Sequence, residues 1–135
     1  MRAAVGLGAL ALAAACTSDT RACMDARERV GETPLPAEIA DIFERNCWMC
    51  HTDPPAGFAP FPLLTWEQVQ RPRSMDNPAP IYEVIAERIH DPQFPMPPLP
   101  PPSLGDADRA SWPKLTDADK ATVDGWVADC APPGG

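Results

Sequence analysis

Proline is the feature of this sequence that most restricts its fold. Of the 135 residues 19 are proline, and the segment 92–102 reads Pro-Gln-Phe-Pro-Met-Pro-Pro-Leu-Pro-Pro-Pro. Proline lacks a backbone N–H donor and has a fixed φ, so this segment is excluded from helices and from central strands. We expect it to be stiff and extended, as polyproline segments are. Regular structure must therefore fit between such stretches.

Between the proline-rich stretches, three segments have apolar residues at helical spacing. The three predicted stripes are Ile39, Ile42, Phe43 and Cys47; Ile81, Val84, Ile85 and Ile89; and Val123, Trp126, Val127 and Cys130. The first helix is expected to open at Pro36, the second to run from Ile81 to His90, and the last to be capped by Thr116. Thr65 and Gln68 predict a capping box for a short helix, Trp66–Gln70. No strand pairs or repeats are evident, so the predicted fold is all-α, with three to four helices and long Pro-rich loops.

Gly125 lies in the middle of the last predicted helix. A glycine there costs about 1 kcal/mol relative to alanine. We therefore expect it to allow the close approach of another backbone.

The motif with the most specific chemistry is Cys47-Trp48-Met49-Cys50-His51. The spacing C-x-x-C-H is that of covalent c-type haem attachment. Two thiols on one helical turn can add to the two vinyl groups of one porphyrin edge, and the adjacent imidazole can bind the iron. The motif therefore predicts one covalent haem c, bound through Cys47 and Cys50, with His51 as an iron ligand.

Other functions of a C-x-x-C pair fit the sequence less well. A thioredoxin-like redox pair is expected near a βαβ pattern, which is absent from this sequence. A zinc site requires four ligands, usually in two pairs, and here one pair stands alone. A simple disulfide would not require His51.

The order of elements is helix, C-x-x-C-H, loops, helix, Pro-rich methionine loop and terminal helix. With Cys47, Cys50, His51 and the segment Phe94-Pro95-Met96-Pro97-Pro98, the chain resembles a class I cytochrome c domain over residues 36–131. It is most similar to bacterial monohaem domains with a Met-Pro-Pro loop before the last helix. The resemblance implies a cytochrome c-like fold of three to four helices around the haem, with Met96 as the distal iron ligand.

Alternatives to Met96 remain open at this point. His90, at the end of a predicted helix, is the main rival, and an open distal site is the third possibility. Met75 and Met49 are weaker candidates, because one lies in a loop and the other lies inside the attachment motif. Histidine–methionine ligation raises the reduction potential and fills both axial positions.

The implied function is single-electron transfer rather than enzymatic catalysis, by a free carrier or a subunit of a larger oxidoreductase. Two other functions are retained: a haem-based sensor or peroxidase-like protein with an open distal site, and a non-haem, disulfide-stapled lipoprotein.

The N-terminal segment is typical of a secretory signal. Arg2 precedes the short apolar segment 3–15, and small residues come before Cys16. The arrangement resembles a bacterial lipoprotein leader, in which Cys16 would be lipidated, although ordinary signal cleavage would cut the same bond. We expect residues 1–15 to be a signal peptide, 16–35 a tether, 36–131 the domain and 132–135 a tail. The location implied is the periplasm or cell envelope, with lipid anchoring.

Two cysteines remain once the motif and Cys16 are set aside. Cys23 and Cys130 lie at opposite ends of the mature chain, and domain termini are often close in space. Disulfides persist in an oxidising compartment. We therefore expect a Cys23–Cys130 disulfide, with two free or mispaired thiols as the alternative.

The chain is acidic, with a formal net charge of −8 at pH 7. Such a surface repels nucleic acid and favours a basic docking face on a redox protein partner, or else it only keeps the protein in solution. Arg71, Arg73 and Arg88 are candidate donors to a haem propionate, but each is also an ordinary surface charge. The sequence assigns none of them to this role.

Overall fold

The computed structural model describes residues 33–135 as a helical domain. The helices are α1 (Ala37–Asn46), α2 (Trp66–Gln70), α3 (Ile81–His90), α4 (Asp106–Ala110) and α5 (Asp117–Ala128). Within the described range there is no strand, and the only β-type pairing is an isolated bridge between Pro72 and Pro80. The all-α prediction is confirmed at this level.

Residues 33–135 contain five helices, at least one more than the three to four predicted. Helix α4 has the sequence Asp-Ala-Asp-Arg-Ala and contains no buried residue. It therefore has no apolar stripe from which a helix can be recognised.

Helix starts follow the local sequence closely. Thr65 and Gln68 form the predicted capping box of α2, in which the Gln68 N–H bonds the Thr65 hydroxyl and the Gln68 side chain accepts from the Thr65 N–H. Thr116 caps α5 in the same way, with Asp119 as its partner. Helix α3 has the predicted bounds, and α1 begins one residue after Pro36.

The core lies where α1, α2, α3 and α5 meet. The Trp126 ring stands edge-on to Phe43 and Tyr82, with centroids 6.1 and 6.5 Å apart. Around these rings the buried apolar residues are Leu35, Ile39, Ile42, Leu63, Trp66, Val69, Ile81, Ile85, Ile89, Leu115, Val123 and Ala131. The stripes predicted for α1 and α3 supply five of these residues, Ile39, Ile42, Ile81, Ile85 and Ile89.

Both ends of the described range pack on the domain. Leu35, placed in the tether by the sequence analysis, is buried in the core. At the other end, Gly134 donates its N–H to the carbonyl of Pro34 at 2.9 Å. The Trp126 indole donates to the carbonyl of Pro132 at 2.9 Å. The folded part of the chain therefore extends beyond the expected boundaries at residues 36 and 131.

The remaining cysteine of the described range, Cys130, is disulfide-bonded. Its predicted partner Cys23 and the predicted lipidation site Cys16 lie outside the described residues, so both predictions remain predictions. No helix between residues 33 and 135 is both long and apolar enough to cross a membrane.

Gly125 does not have the expected close neighbour. The residue is exposed, and a Cβ built on it would meet no atom within 4 Å. The prediction of a close backbone approach is wrong, because Gly125 lies on the outer face of α5, away from the face on which Val123 and Trp126 are buried.

Candidate functional site

The C-x-x-C-H motif forms the turn that follows α1. The N–H of Cys47 bonds the carbonyl of Phe43 at 2.7 Å, which continues the helical pattern by one residue. The N–H groups of Cys50 and His51 then both bond the carbonyl of Cys47, at 3.2 and 3.0 Å. The motif is thus a compact turn whose position is fixed by the buried Phe43.

The imidazole of His51 is oriented by a backbone carbonyl. Its Nδ1 lies 2.8 Å from the carbonyl oxygen of Phe61, and the His51 and Phe61 rings lie 5.4 Å apart between centroids. In the neutral tautomer whose Nδ1–H donates to the carbonyl, the lone pair of Nε2 is available, and Nε2 makes no hydrogen bond to a described residue. A histidine that binds a metal through one nitrogen almost always donates the other N–H to such an acceptor. His51 therefore has the arrangement of an iron ligand.

The loop that supplies this carbonyl is itself held in place. The N–H of Leu63 bonds the carbonyl of His51 at 3.0 Å, and the Trp48 indole donates to the carbonyl of Leu63 at 2.8 Å. Trp48 lies between the two motif cysteines. The motif therefore holds in place the end of the loop that follows it, at Leu63.

A cavity of about 430 Å³ opens beside the motif. Cys47, Cys50, His51 and Met96 all line it, and Val84, Ile85 and Ile89 of α3 are among its apolar lining residues. The volume lies in the usual range of cofactor pockets, and the lining is mainly apolar with a few polar groups, as such pockets are. The structure therefore brings the four predicted haem-binding residues to one cavity.

Met96 reaches the cavity from the proline-rich segment. Its N–H bonds the carbonyl of Arg88 at 3.0 Å, which joins the segment to the end of α3. Two residues on, the carbonyl of Pro98 accepts from the Trp112 indole at 2.6 Å. The side chain of Met96 is 38% exposed, so it sits at the opening of the cavity rather than within packed core.

The competing ligands are less well placed. His90 does not line the cavity, and its Nε2 pairs with the carboxylate of Asp124 at 2.9 Å. Met75 is fully exposed and outside the cavity lining, whereas Met49 lines the cavity but is 59% exposed.

The two motif cysteines are free thiols. Burial raises the pKa of the Cys47 thiol to about 12. Reactive redox cysteines have a lowered pKa, because the thiolate is the nucleophile. Cys47 is therefore unlike the attacking cysteine of a thiol–disulfide oxidoreductase. Nor does any group of three or more histidine, cysteine, aspartate or glutamate residues among residues 33–135 suit a metal ion held by protein alone.

The residues of the cavity fit a covalently attached haem. They offer two thiols, an imidazole with an available Nε2, a thioether and an apolar lining, together with the side chains of Arg73 and Arg88. Arg71, the third candidate for a propionate, does not line the cavity. Haem brings its own four nitrogen ligands, so two axial side chains suffice.

Sequence reasoning did not find the contacts that position the site. The carbonyl of Phe61 is a backbone group and has no signature in the sequence. No hydrogen bond was predicted for Trp48 or Trp112, yet each indole anchors a loop of the site. The abundance of tryptophan, four in this small chain, is the one signal from which such anchors could have been suspected.

Comparison of the chain with protein-family models, with curated proteins and with solved structures finds no match in any of the three. Function is therefore inferred from the residues of this cavity and their geometry.

Proposed function

We propose that this protein is a single-electron carrier that holds one haem covalently on Cys47 and Cys50, with His51 and Met96 as axial ligands. The observation that carries the proposal is the meeting of these four side chains at one apolar cavity. The bond from His51 Nδ1 to the carbonyl of Phe61 supports it, because it leaves Nε2 for iron. When bound, the haem supplies an iron that exchanges one electron between its ferric and ferrous states.

The role of His51 is to keep one ligand geometry through both redox states. The carbonyl of Phe61 fixes the orientation of the ring and increases the basicity of Nε2. The bond between Leu63 and the His51 carbonyl restrains the backbone beside it. A ligand that does not move on reduction keeps the reorganisation energy of electron transfer small.

Met96 would complete the coordination and keep small molecules out. Prolines on both sides reduce the conformational freedom that the loop loses when the thioether is held in place. The contacts from Met96 to Arg88 and from Pro98 to Trp112 hold the loop at the cavity. A thioether ligand favours the reduced state relative to a second imidazole.

A cytochrome c-like fold is part of the proposal. Its support is the order of the elements and the contact between the first and last helices. Phe43 of α1 packs on Trp126 of α5, and Arg45 of α1 pairs with Asp119 of α5 at 3.1 Å.

Partner and location are also proposals. An acidic carrier favours a redox protein partner with a basic docking face, and its electron-transfer rate should then fall as salt rises. The signal and lipid anchor expected at residues 1–16 would place the domain at the surface of a membrane in the cell envelope.

The first experiment tests covalent haem attachment. The chain is produced in a host with cytochrome c maturation machinery, and the purified protein is assayed by pyridine haemochrome spectrum and intact mass. We expect one haem per chain, lost in Cys47→Ala/Cys50→Ala and retained in His90→Ala, which changes the histidine outside the cavity. A colourless wild-type protein without added mass would refute the proposal and leave the disulfide-stapled lipoprotein.

The second experiment tests the distal ligand. The ferric protein should show the weak red absorption band of methionine bound to ferric haem. Met96→Ala should abolish the band and let the ferrous protein bind carbon monoxide rapidly. Met75→Ala, an equal change at an exposed methionine outside the cavity, should do neither. Rapid carbon monoxide binding by the wild type would instead indicate the open-site sensor or peroxidase-like protein.

A further inference from the structure

A second cavity, of about 370 Å³, lies beside the proline-rich segment. Met96, Pro97 and Pro98 line both this cavity and the first one, beside the C-x-x-C-H motif, so the two cavities share this part of the segment as a wall. The buried side chains of Ile89 and Leu115 add apolar surface. Both the volume and the largely apolar lining are those of a site for a small molecule.

The charged residues of the second cavity are all positive, although the chain is acidic overall. Lys114 and Lys120, the two lysines of the whole sequence, both line it together with Arg109, and none of the described acidic residues does. The sequence has 19 acidic residues against 11 basic ones, so this lining differs from the average surface. A cleft with charges of one sign and apolar walls concentrates its electric field on what enters it. The second cavity therefore attracts an anion.

The two lysines are available to such an anion, whereas Arg109 is already engaged. The Nη2 of Arg109 donates to three backbone carbonyls of the segment 101–104, each at 3.2 Å. Neither lysine side chain has an ion pair or a hydrogen bond in the part of the chain that the structure describes. Lys120 is half-buried and Lys114 is exposed, so the charge of Lys120 is the less screened by water.

The wall of the second cavity is held in place by the protein itself. Proline at positions 95, 97, 98 and 100 fixes the backbone φ along the segment. The Trp112 indole donates to the carbonyl of Pro98 at 2.6 Å, and Arg109 holds the carbonyls that follow. A site that is formed in advance loses little conformational entropy when it binds a ligand.

We propose that the second cavity binds a small organic acid, with its carboxylate at Lys120 and Lys114 and its apolar body against Trp112 and the proline rings. The body would also cover Leu99, which lines the cavity and is 72% exposed. An inorganic anion would gain nothing from the apolar walls, and a neutral apolar molecule would gain nothing from the lysines. The inference does not depend on the proposed function, because neither lysine lines the first cavity.

The test titrates the purified, ¹⁵N-labelled and reduced chain with benzoate and with hexanoate at constant ionic strength, followed by NMR. Matched probes are the neutral amides benzamide and hexanamide, and inorganic phosphate. We expect at least one of the two acids to give saturable shifts of the Trp112 indole N–H and of the Lys114 and Lys120 amides. Its amide and phosphate should bind about tenfold more weakly or worse, because each lacks one half of the interaction. The inference is wrong if neither acid binds saturably, or if the amide or phosphate binds as well as the acid.

Substitutions test whether the lysines themselves bind the carboxylate. Lys120→Gln should weaken binding of the acid about three- to fivefold, and Lys114→Gln should weaken it less, because Lys114 is exposed. Arg71→Gln makes the same charge change at an exposed residue outside both cavities and should weaken binding less than about twofold. Equal effects of Lys120→Gln and Arg71→Gln would contradict the site.

A peptide probe distinguishes the rival occupant, an acidic segment of a protein partner. If hexaglutamate shifts the Lys114 and Lys120 amides while neither small acid does, the cavity takes such a segment and the inference fails. The result is also separate from that of haem attachment. Binding of an acid to a chain that carries no haem would support this inference and refute the proposed function, whereas a haem-loaded chain that binds no acid would do the reverse.

Discussion

Two regions of this domain are held together in different ways. The helical core, formed by α1, α2, α3 and α5, buries rings against rings, as Phe43, Tyr82 and Trp126 show. The cavity side, formed by residues 47–63 and 92–113 together with one face of α3, leaves Phe58 and Phe94 exposed. Its loops are held by individual hydrogen bonds, among them those from the Trp48 and Trp112 indoles to backbone carbonyls.

The difference indicates which region buries its apolar side chains with protein atoms alone. Most apolar residues of the helical core have one another as partners, and only a few, such as Ile85 and Ile89, also line the cavity. Those that line the cavity face about 430 Å³ of space, so much of their burial has to come from a bound group. In a domain of this size, losing that burial removes a large share of a small net stability.

The largest expected effect comes from removing the attachment cysteines. In Cys47→Ala/Cys50→Ala we expect the domain to be unfolded or molten, because the helical core alone buries too little to hold it. Far-UV and near-UV circular dichroism measure this. The matched control is the wild-type chain made without haem maturation, which has both thiols and no haem and should behave alike. A native-like helical spectrum with cooperative unfolding in both proteins would mean that the helical core is stable by itself.

The next largest effect separates the two regions directly. Trp126→Ala removes a buried ring from the helical core and should lower the free energy of unfolding by about 3–5 kcal/mol. The red methionine–haem band should be unchanged, because Trp126 does not line the cavity. Guanidinium unfolding and the absorption spectrum are the measurements.

Its counterpart on the cavity side is Trp112→Phe, which removes the donor to Pro98 and keeps most of the ring. We expect a loss of only about 1 kcal/mol in stability but a weaker methionine band, because the Met96 loop loses an anchor. If Trp126→Ala and Trp112→Phe had equal effects on the free energy of unfolding and on the methionine band, the two regions would not be separate.

Sequence reasoning succeeded where the controlling interactions are local. The bounds of α2 and α3 follow from a capping box and from a stripe of isoleucine and valine, each contained within ten residues. Helix α4 was missed because nothing in it is buried. Met96 was paired with His51 only through a family resemblance, since contacts between distant segments depend on how the chain closes. The carbonyl of Phe61 belongs to the backbone and carries no residue signal.

An effect of similar size concerns the link between α1 and α5. The pKa of Asp119 is lowered, chiefly by the backbone N–H of Thr116 and further by the Thr116 hydroxyl and Arg45. A carboxylate with a lowered folded-state pKa stabilises the fold above its unfolded pKa, near 3.8, and this contribution is lost as pH falls through the folded value.

Asp119→Asn should therefore lower stability by about 1–2 kcal/mol at pH 6, with the difference shrinking below pH about 3.8. Chemical unfolding at a series of pH values measures this. Asp117→Asn, an equal change at an exposed residue of the same turn, should cost only a few tenths of a kcal/mol through the helix dipole. A constant difference between Asp119→Asn and wild type from pH 7 to pH 2.5 would contradict the role given to the charge.

The smallest effects come from two glycines at the edge of the helical core, one with open space around it and one in close contact. Gly125→Ala adds a methyl group to an exposed position of α5 where nothing lies within 4 Å, and it should raise the free energy of unfolding by about 0.5–1 kcal/mol through helix propensity. Gly134→Ala should have the opposite sign, because its Cβ would lie 2.5 Å from the carbonyl oxygen of Leu35. To avoid that overlap the tail must move and weaken the bond from Gly134 to Pro34. Thermal unfolding of the two variants measures the contrast. If Gly134→Ala left the midpoint unchanged, the tail would contribute no stability, and the helical core would end with Trp126 and Ala131 rather than with the contact between the two ends of the domain.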